Sequence, residues 1–308
     1  MKIINIQMKL KRFMEWNNLK RSVFMPNLKE GKLYVVPTPI GNLKDITLRA
    51  LDVLKDVDII AAEDTRQTLK LLNHFNIKKT LISYHKFNEE DKSINIIKDL
   101  KEGKNIALVS DAGMPGISDP GHVLIKKCIE DQIKFEVLPG ATAFTTALVY
   151  SGMDTTKFIF KGFIPRENKN RQKLVQEIKD RVETLIFYES PHRLKECLKF
   201  LRESLGNRNI AICRELTKIH EEIIRDSLEE VIKYYENQQP KGEYVLVLEG
   251  KSMEEIEKEK EMEWSSMNIQ DHIKKYINEG YSKKESIKLV AKDRKVTKSE
   301  IYKYSIDI

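Results

Sequence analysis

The chain has 308 residues, 41% of them hydrophobic and 33% charged, with a net charge of +7. These values describe a globular protein large enough for two domains, and no apolar run approaches the ~20 residues of a membrane-spanning helix. Three scattered cysteines without a CxxC pair argue against a disulfide framework and a zinc site. With no secretory signal at the start, they favour a reducing cytoplasm, and no metal is expected.

Residues 1–31 show no sustained period and are expected to be a poorly ordered extension, in which Met25 is an alternative start. From Leu33 onward the chain alternates strand and helix patterns. For the first domain, residues 32–152, strands are predicted at 33–36, 58–62, 80–84, 105–110 and 134–138. Helices are predicted at about 47–55, 65–75, 91–101, 120–130 and 142–150. This alternation is typical of an α/β fold with a parallel sheet.

A second α/β domain is predicted at residues 153–250, with strands near 157–161, 183–188, 209–213, 220–225 and 243–248. The glutamate-rich segment 251–265 is expected to be a charged linker or a solvated helix. In residues 266–308, Ser282-Lys-Lys-Glu285 and Thr297-Lys-Ser-Glu300 are capping boxes that predict the starts of two short helices. A third helix is predicted at 269–278. This C-terminal helical module resembles a helix-turn-helix, and a small packing domain without an RNA role is the alternative.

The positive charge is concentrated at the two ends of the chain. Residues 1–30 carry a net charge of +5 and residues 266–308 a net charge of +4, whereas segment 251–265 carries −3. The body between them is nearly neutral. Basic ends on a neutral body favour a polyanionic partner, nucleic acid first. A lysine-rich solvated surface is the alternative that charge alone leaves open.

Several predicted strands lead directly into loops rich in glycine and proline. The longest, Asp111–Gly121, contains three glycines and two prolines, whereas ordinary turns have only ~2–6 residues. Glycine lets the backbone approach a ligand closely and proline fixes φ, so a shaped backbone surface is expected here. The carboxyl ends of parallel strands are where an open α/β sheet binds its ligand. Comparable loops are Pro37–Asn42, Pro139–Thr142, Glu189–Arg193 and Arg214–Lys218.

No GxxxxGK[ST] loop and no GxGxxG fingerprint is present, so the ligand is neither a standard nucleoside triphosphate nor a dinucleotide. Six segments, in order, instead carry a family resemblance: Leu33–Leu43, Ala62–Arg66, Ser110–Gly121, Leu138–Ala141, Phe187–Arg193 and Arg214–Lys218. They resemble the successive motifs of the ribosomal RNA small subunit methyltransferase I family, over about residues 32–250.

The resemblance implies two α/β domains of the tetrapyrrole methylase type, a class III S-adenosylmethionine methyltransferase fold, with a small C-terminal helical module. It implies 2′-O-methylation of the ribose of cytidine 1402 in 16S rRNA of the small ribosomal subunit. It also implies a homodimer and a cofactor site between the two domains. Position 114 departs from the family, which commonly has Thr where this chain has Met114. A hydroxyl contact from position 114 is therefore in doubt, whereas backbone contacts nearby are kept.

Site residues follow from the same resemblance. The residues expected to bind S-adenosylmethionine are Pro39, Gly41, Asp111, Ala112, Gly113, Pro115, Ile117, Ser118, Leu138, Pro139, Ala141, Phe187, Tyr188, Glu189, Tyr244 and Val245. Those expected to bind the RNA are His192, Arg193, Arg214, Glu215 and Lys218. A proton-accepting role is conceivable for His192, but a lone histidine after Ser-Pro is more often structural.

The expected chemistry needs a base. Methyl transfer to an alcohol oxygen is an in-line displacement, so positioning supplies most of the catalysis, and a base helps because a ribose hydroxyl is a poor acid. Glu63 or Asp64, at the end of a predicted buried strand, is the expected base, and Arg66 is expected to bind an RNA phosphate. The alternative is a helix cap, in which Asp64 or Thr65 accepts backbone N–H groups, and both roles can coexist.

Two competing functions remain. An enzyme on the same fold that methylates a tetrapyrrole carbon needs no basic tail, and the Glu63–Arg66 cluster argues against it. A ribosome-binding factor that has kept the fold would bind no cofactor, which calorimetry distinguishes.

Overall fold

The computed structural model describes residues 30–306, apart from the side chains of Lys260 and Glu263. Residues 1–29 of the expected N-terminal extension (residues 1–31), with the alternative start at Met25, lie outside the described part of the chain. The chain forms two compact units. The first runs to Thr146 and also includes Arg214–Glu222, and the second comprises Ala147–Cys213 and the chain from Ile223 onward. The domain limits inferred from the sequence stay a prediction.

The first unit contains a five-stranded parallel sheet. Its strands are β1 (Leu33–Val35), β2 (Ile59–Ala62), β3 (Thr80–Ser83), β4 (Ile106–Val109) and β5 (Phe135–Val137). They lie in the order β3-β2-β4-β1-β5, and each neighbouring pair is parallel. The helices between and after them are α1 (Leu48–Asp56), α2 (Thr65–His74), α3 (Glu89–Lys101), α4 (His122–Glu130) and α5 (Ala143–Ser151). The predicted alternation of strands and helices and the parallel sheet are confirmed.

The unbroken apolar run of β4 produces a core on both faces of the sheet. All four residues of this strand are buried. Ile106 and Leu108 pack with apolar residues of α3 and α4 on one face, whereas Ala107 and Val109 pack with α1 and α2 on the other. Successive side chains of a strand point to opposite faces, so a sheet covered on both sides requires such a run. Each fully buried Leu, Ile or Val contributes roughly 1.5–3 kcal/mol of transfer free energy.

The second sheet has five strands in a mixed arrangement. They are β6 (Phe158–Phe163), β7 (Thr184–Glu189), β8 (Asn209–Arg214), β9 (Glu222–Ser227) and β10 (Tyr244–Leu248). Their order is β6-β7-β10-β8-β9, with β6 parallel and β10 antiparallel to β7. The associated helices are α6 (Asn168–Ile178), α7 (Leu194–Leu205) and α8 (Leu228–Glu236). Leu185, Phe187 and Leu246 belong to a large apolar cluster that packs against this sheet.

Four further helices complete the described chain: α9 (Met253–Ser265), α10 (Ile269–Asn278), α11 (Lys283–Asp293) and α12 (Lys298–Tyr302). The capping boxes predicted at Ser282 and Thr297 are both present, and a third at Ser252 starts α9. Segment 251–265 was expected to be a charged linker or a solvated helix, and the structure shows a helix. In the described part of the chain, no helix is long and apolar enough to cross a membrane.

Arg294 joins the C-terminal helices to the end of α9. Its Nη2 donates to the carbonyl oxygens of Trp264 (3.1 Å) and Met267 (2.5 Å), and its Nε donates to His272 Nδ1 (3.3 Å). The ring of His272 stacks on that of Trp264, with centroids 5.8 Å apart. Burial lowers the pKa of His272, which favours the neutral ring that accepts this hydrogen bond. The carbonyls that end α9 are thus satisfied by a side chain 27 to 30 residues away.

Candidate active site

The parallel register brings the ends of the strands to one edge of the first sheet. Ala62, the last residue of β2, is the register partner of Ser83 in β3 and of Val109 in β4. Val35 of β1 pairs with Leu108, and β5 lies parallel to β1. The segments that follow the strands therefore lie side by side along this edge, which we call the carboxyl edge. They are residues 36–43, 63–66, 84–88, 110–121 and 138–142.

Two backbone hydrogen bonds tie the loop after β1 to the loop after β4. Thr38 N donates to Gly113 O (2.9 Å), and Gly113 N donates to Thr38 O (3.0 Å). The buried Thr38 hydroxyl donates to the Ser110 carbonyl (3.2 Å). Gly113 has a φ of +80°, and a Cβ there would lie 3.3 Å from Ile40 Cγ2. Position 113 therefore favours glycine for its backbone angle, and any larger residue would also have to displace the Ile40 side chain slightly.

The loop Asp111–Gly121 has a buried side that packs against the fold and an exposed side. Gly113 and Pro115 are buried. Of the expected cofactor-binding residues in this loop, those exposed are Asp111, Ala112, Ile117 and Ser118. Ser118 adopts a φ of +65°, which is uncommon for a residue with a side chain and recurs at functional sites. Met114 is half-buried, and its carbonyl accepts a hydrogen bond from Ile117 N (3.3 Å). The exposed side can offer backbone groups to a ligand.

The predicted segment Arg214–Lys218 packs onto the loop after β1. A Cβ on Gly41 would lie 2.5 Å from Lys218 Cγ and 2.6 Å from Thr217 Oγ1, so no side chain fits at position 41. Asn42 N donates to the same Thr217 hydroxyl (2.9 Å). Glu215 and Thr217 both have positive φ, +48° and +66°. This turn, which is strained by its positive φ angles, is thus held by close contact with the loop after β1.

Charged residues of this segment, expected to bind RNA, form ion pairs among themselves. Lys218 Nζ lies 3.0 Å from Glu215 Oε1, and Arg214 Nη1 lies 3.4 Å from Glu222 Oε2. Arg214, Glu215 and Lys218 are all half-buried. All three residues belong to the 214–222 segment of the first unit.

The loop after β5 is the fifth element of the carboxyl edge. Leu138 is fully buried, and its N–H donates to Val35 O (3.0 Å). A Cβ on Gly140 would lie 2.6 Å from Pro37 Cβ, so this glycine permits the close packing of the two loops. Pro139 is exposed and Ala141 is half-buried. Of the expected cofactor residues here, Pro139 and Ala141 are therefore accessible, whereas the Leu138 side chain belongs to the core.

Asp64 acts as the N-cap of α2. Its carboxylate accepts from Arg66 N (2.8 Å), and its two oxygens also accept from Arg66 Nε (3.0 Å) and Nη2 (2.7 Å). These side-chain and backbone hydrogen bonds lower the pKa of Asp64 to about 2. A carboxylate of such low pKa is a weak proton acceptor. The helix cap that was the alternative for this cluster is thus present, and it is Asp64 rather than Thr65 that provides it.

Glu63 has the opposite environment. Burial raises the pKa of Glu63, and the nearby negative charge of Asp111 raises it further. Asp111 is exposed as a whole residue, but partial burial of its carboxyl group likewise raises its pKa, and its Oδ1 accepts a hydrogen bond from Asp64 N (3.0 Å). Glu63 is half-buried at the carboxyl edge. Of the two candidate bases, Glu63 is therefore the better proton acceptor.

The second strand-end cluster, Glu189 to Arg193, is largely closed. The Glu189 side chain is fully buried, 3.6 Å from Arg193 Nη2, and its Oε1 accepts from Ser190 N (2.8 Å). Arg193 Nη2 also donates to Ile164 O (2.6 Å). His192 alone of the predicted residues here is exposed. Glu189 and Arg193 therefore have structural partners, and their predicted contacts with cofactor and RNA stay predictions.

The remaining predicted cofactor residues lie on β7 and β10. Phe187 and Tyr244 are buried within the apolar cluster of the second unit. Val245 is 5% exposed. Tyr188 is half-buried, with its ring edge-to-face with those of Phe160 and Phe163. Any contact from Phe187 or Tyr244 to a ligand would thus involve backbone atoms.

Sequence reasoning missed the residues that tie the loops together, Thr38, Asn42 and Thr217. One signal for Thr38 was present. It lies between Pro37 and Pro39, which have no backbone N–H, so its amide is the only backbone donor in that stretch. The partner of Asn42, in contrast, is 175 residues away and has no local signal.

Comparison with known proteins gives one family match and many relatives. Residues 32–232 match the family of tetrapyrrole (corrin/porphyrin) methylases. A ribosomal RNA small subunit methyltransferase I from Halalkalibacterium halodurans is 51% identical over 89% of this chain and 94% of its own length. A protein of the same name from Bacillus subtilis is 50% identical over 88% of this chain and 93% of its own length.

Solved structures support the fold. The methyltransferase CobJ matches with a TM-score of 0.56 and 18% identity, over 71% of this chain and 94% of that one. At this identity the match concerns the fold alone, two α/β sheets of the tetrapyrrole methylase type.

Proposed function

Because the chain belongs to the tetrapyrrole methylase family, and within it to the ribosomal RNA small subunit methyltransferase I family, we propose that it methylates ribosomal RNA of the small subunit. The names of its relatives support a methyltransferase acting on this RNA. The finer proposal is transfer from S-adenosylmethionine to the ribose 2′-oxygen of cytidine 1402 in 16S rRNA.

Glu63 at the carboxyl edge is the observation that carries the finer proposal. A ribose hydroxyl must lose its proton as its oxygen attacks a methyl carbon, and a positioned carboxylate of raised pKa is suited to accept that proton. Burial and the charge of Asp111 supply the raised pKa of Glu63. We assign Glu63 the role of base. Asp64, as the helix cap, holds the chain turn that presents it.

The loops of the carboxyl edge fit S-adenosylmethionine. Its sulfonium is a cation, and the carboxylates of Glu63 and Asp111 lie at the same edge without a lysine paired to either in a described ion pair. The exposed backbone around Ala112 and Ser118 offers donors and acceptors to its polar groups. When bound, it supplies the electrophilic methyl group. The chain's own contribution is to hold both reactants in line and to accept the proton.

Arg66 and the C-terminal helical module are the proposed contacts with the RNA backbone. The Arg66 side chain is 86% exposed beside Asp64, and a guanidinium suits phosphate oxygens. In the module, Lys298 and Lys303 are exposed on the last helical segment. A homodimer and a cytoplasmic location are also proposed, on the family resemblance alone.

A charge experiment tests the module. Replacing Lys298 and Lys303 with glutamine should weaken binding to the small subunit and reduce the salt slope of log K by about one per lysine. Affinity for S-adenosylmethionine should not change. The control is Lys126→Gln, an exposed lysine on α4. Equal salt slopes for all three proteins would leave the module as a packing element.

Mass mapping of 16S rRNA tests the proposed function itself. Small subunits from a strain lacking this protein should lack one ribose methyl group at cytidine 1402. The purified protein with S-adenosylmethionine should restore it on those subunits. An unchanged methylation pattern in the deletion strain, with no methyl transfer in vitro, would contradict the proposal.

A further inference from the structure

Phe87 is an exposed aromatic residue at the carboxyl edge. Its side chain is 95% exposed, in the short segment between β3 and α3. Burying a phenyl ring would stabilise the fold by roughly 1.5–3 kcal/mol, and this ring makes no such contribution. Its ring contact is with His85, edge-on, with centroids 6.1 Å apart. The face of the ring is thus available to a partner.

The turn that carries Phe87 is held by hydrogen bonds on both sides. Asn88 N donates to His85 O (2.9 Å), and His85 N donates to Asn88 Oδ1 (2.9 Å). Asn88 Nδ2 also donates to Ser83 O (3.4 Å), at the end of β3. The asparagine side chain therefore closes the turn and fixes it to the strand. Phe87 is exposed on a turn that is already ordered. This favours binding, because little conformational entropy of the turn would be lost when a ligand binds.

This turn lies next to the proposed base. Tyr84 N donates to Ala62 O (2.8 Å), so the residues after β3 continue beside Glu63. His85, which follows Tyr84, is close enough to Glu63 for an electrostatic interaction that opposes the effect of burial on the pKa of Glu63. Phe87 is thus two residues beyond a side chain that interacts with the base.

We propose that Phe87 is a stacking platform for an unpaired base of the RNA substrate, adjacent to the nucleotide that is methylated. Sequence-selective proteins commonly hold single-stranded RNA by stacking splayed bases on aromatic rings. Methylation at a 2′-oxygen requires the ribose to reach Glu63, and a neighbouring base held at the same edge would fix its position. This inference rests on the proposed function and adds the residue that orients the substrate.

The surrounding charges favour a base over other partners. The carboxylates of Glu63 and Asp111 at the same edge repel phosphate, so the uncharged face of a nucleotide is the part that suits this position. Exposed Lys86 directly precedes Phe87 in the chain, and its ammonium group suits a phosphate of the same strand. A single ring bordered by charged residues is too small and too polar for the apolar centre of a protein interface. We therefore assign it to RNA and not to a second copy of this chain.

Kinetics on small subunits lacking the methyl group test the proposal. Phe87→Ala and Phe87→Leu should each lower kcat/KM by ~10-fold or more, the scale of one stacked base, chiefly through KM. Phe87→Trp should keep most of the activity because it retains a flat ring. The control, Ile129→Ala, removes a side chain that is 61% exposed near the end of α4, at the opposite edge of the sheet. It should behave as wild type. Calorimetry should give the same S-adenosylmethionine affinity for every protein.

Three outcomes would overturn the proposal. Full activity of Phe87→Leu would show that an apolar side chain suffices and that no base is stacked. Full activity of Phe87→Ala would remove the residue from the site. A change of oligomeric state in Phe87→Ala, measured by sedimentation, would assign the ring to a second copy. Wild-type protein that does not methylate small subunits would instead refute the proposed function, so the two failures are distinguishable.

Discussion

Two glutamates lie where strands end, Glu63 directly after β2 and Glu189 as the last residue of β7. Their surroundings differ in burial and in the charge of the nearest partner. Glu189 is completely buried beside Arg193 and accepts the N–H of its neighbour Ser190. Glu63 is half-buried, and the group that acts most strongly on it besides burial is another carboxylate, Asp111. A buried charge with a cationic partner is held in one place, whereas a carboxylate beside a like charge is left with a higher proton affinity.

The difference shows that position at a strand end does not by itself make a residue functional. Both glutamates precede a polar segment that closes with an arginine, Glu63-Asp-Thr-Arg66 and Glu189-Ser-Pro-His-Arg193. In the first, Arg66 pairs with Asp64 and not with Glu63. In the second, Arg193 turns back to Glu189. The arginine of each segment thus pairs with a different carboxylate, Asp64 in the first segment and Glu189 in the second.

Replacing the unpaired glutamate should have the largest effect. Glu63→Gln should lower kcat by ~100-fold or more, since the amide cannot accept a proton. Its free energy of unfolding at neutral pH should not fall. With its pKa raised in the folded state, ionised Glu63 destabilises the fold at any pH above that value, and glutamine removes this cost. Single-turnover methylation and urea unfolding measure the two quantities.

The pH profile supplies the control for this variant. Wild-type turnover should fall as the pH drops through the raised pKa of Glu63, because protonation removes the base. The residual turnover of Glu63→Gln should lack that acidic limb. An identical limb in both proteins would assign the base to another residue.

Replacing the paired glutamate should lower stability instead. Glu189→Gln would leave Arg193, whose side chain is only 18% exposed, without its anionic partner, at a cost of ~1–3 kcal/mol. Denaturant unfolding checks this. Glu130→Gln is the control, because Glu130 and its partner Lys126 are both more than half exposed and their ion pair should contribute little to stability. A stable Glu189 variant that has lost cofactor binding would reverse the comparison and return this residue to the site.

Asp64→Asn should have the smallest effect. Asparagine is as good an N-cap as aspartate, so kcat should change by less than a few-fold, in contrast to Glu63→Gln. The pKa of Asp64 is lowered to about 2 in the folded state, so its stabilising effect is present above its ordinary value and is lost as pH falls toward 2. In acid unfolding, the Asp64→Asn variant should therefore lack the pH-dependent stabilisation that ionised Asp64 gives the wild-type protein. A loss of ~100-fold in methyl transfer would instead identify Asp64 as the base.

Local patterns predicted the elements of this fold but not the partners of its side chains. The apolar run in β4 and the capping boxes at Ser282 and Thr297 were sufficient to place strands and helices. The antiparallel pairing of β10 with β7 has no local signal, since both strands are apolar runs. The pairing of Arg66 with Asp64 is local, yet the influence of Asp111 on Glu63 crosses 48 residues. Which carboxylate is the better proton acceptor thus depends on burial first and on that distant charge second.

The segment 214–222 has a consequence for how the protein is made. It belongs to the first unit, although residues 147–213 of the second unit are synthesised before it. Domains generally fold as they emerge from the ribosome, N-terminal part first. The Asn42 amide, however, meets its acceptor Thr217 only after most of the second sheet has been translated. A nascent chain that has passed residue 146 therefore still lacks the segment that packs against the loop after β1, and the first unit is completed only when residues 214–222 have been translated.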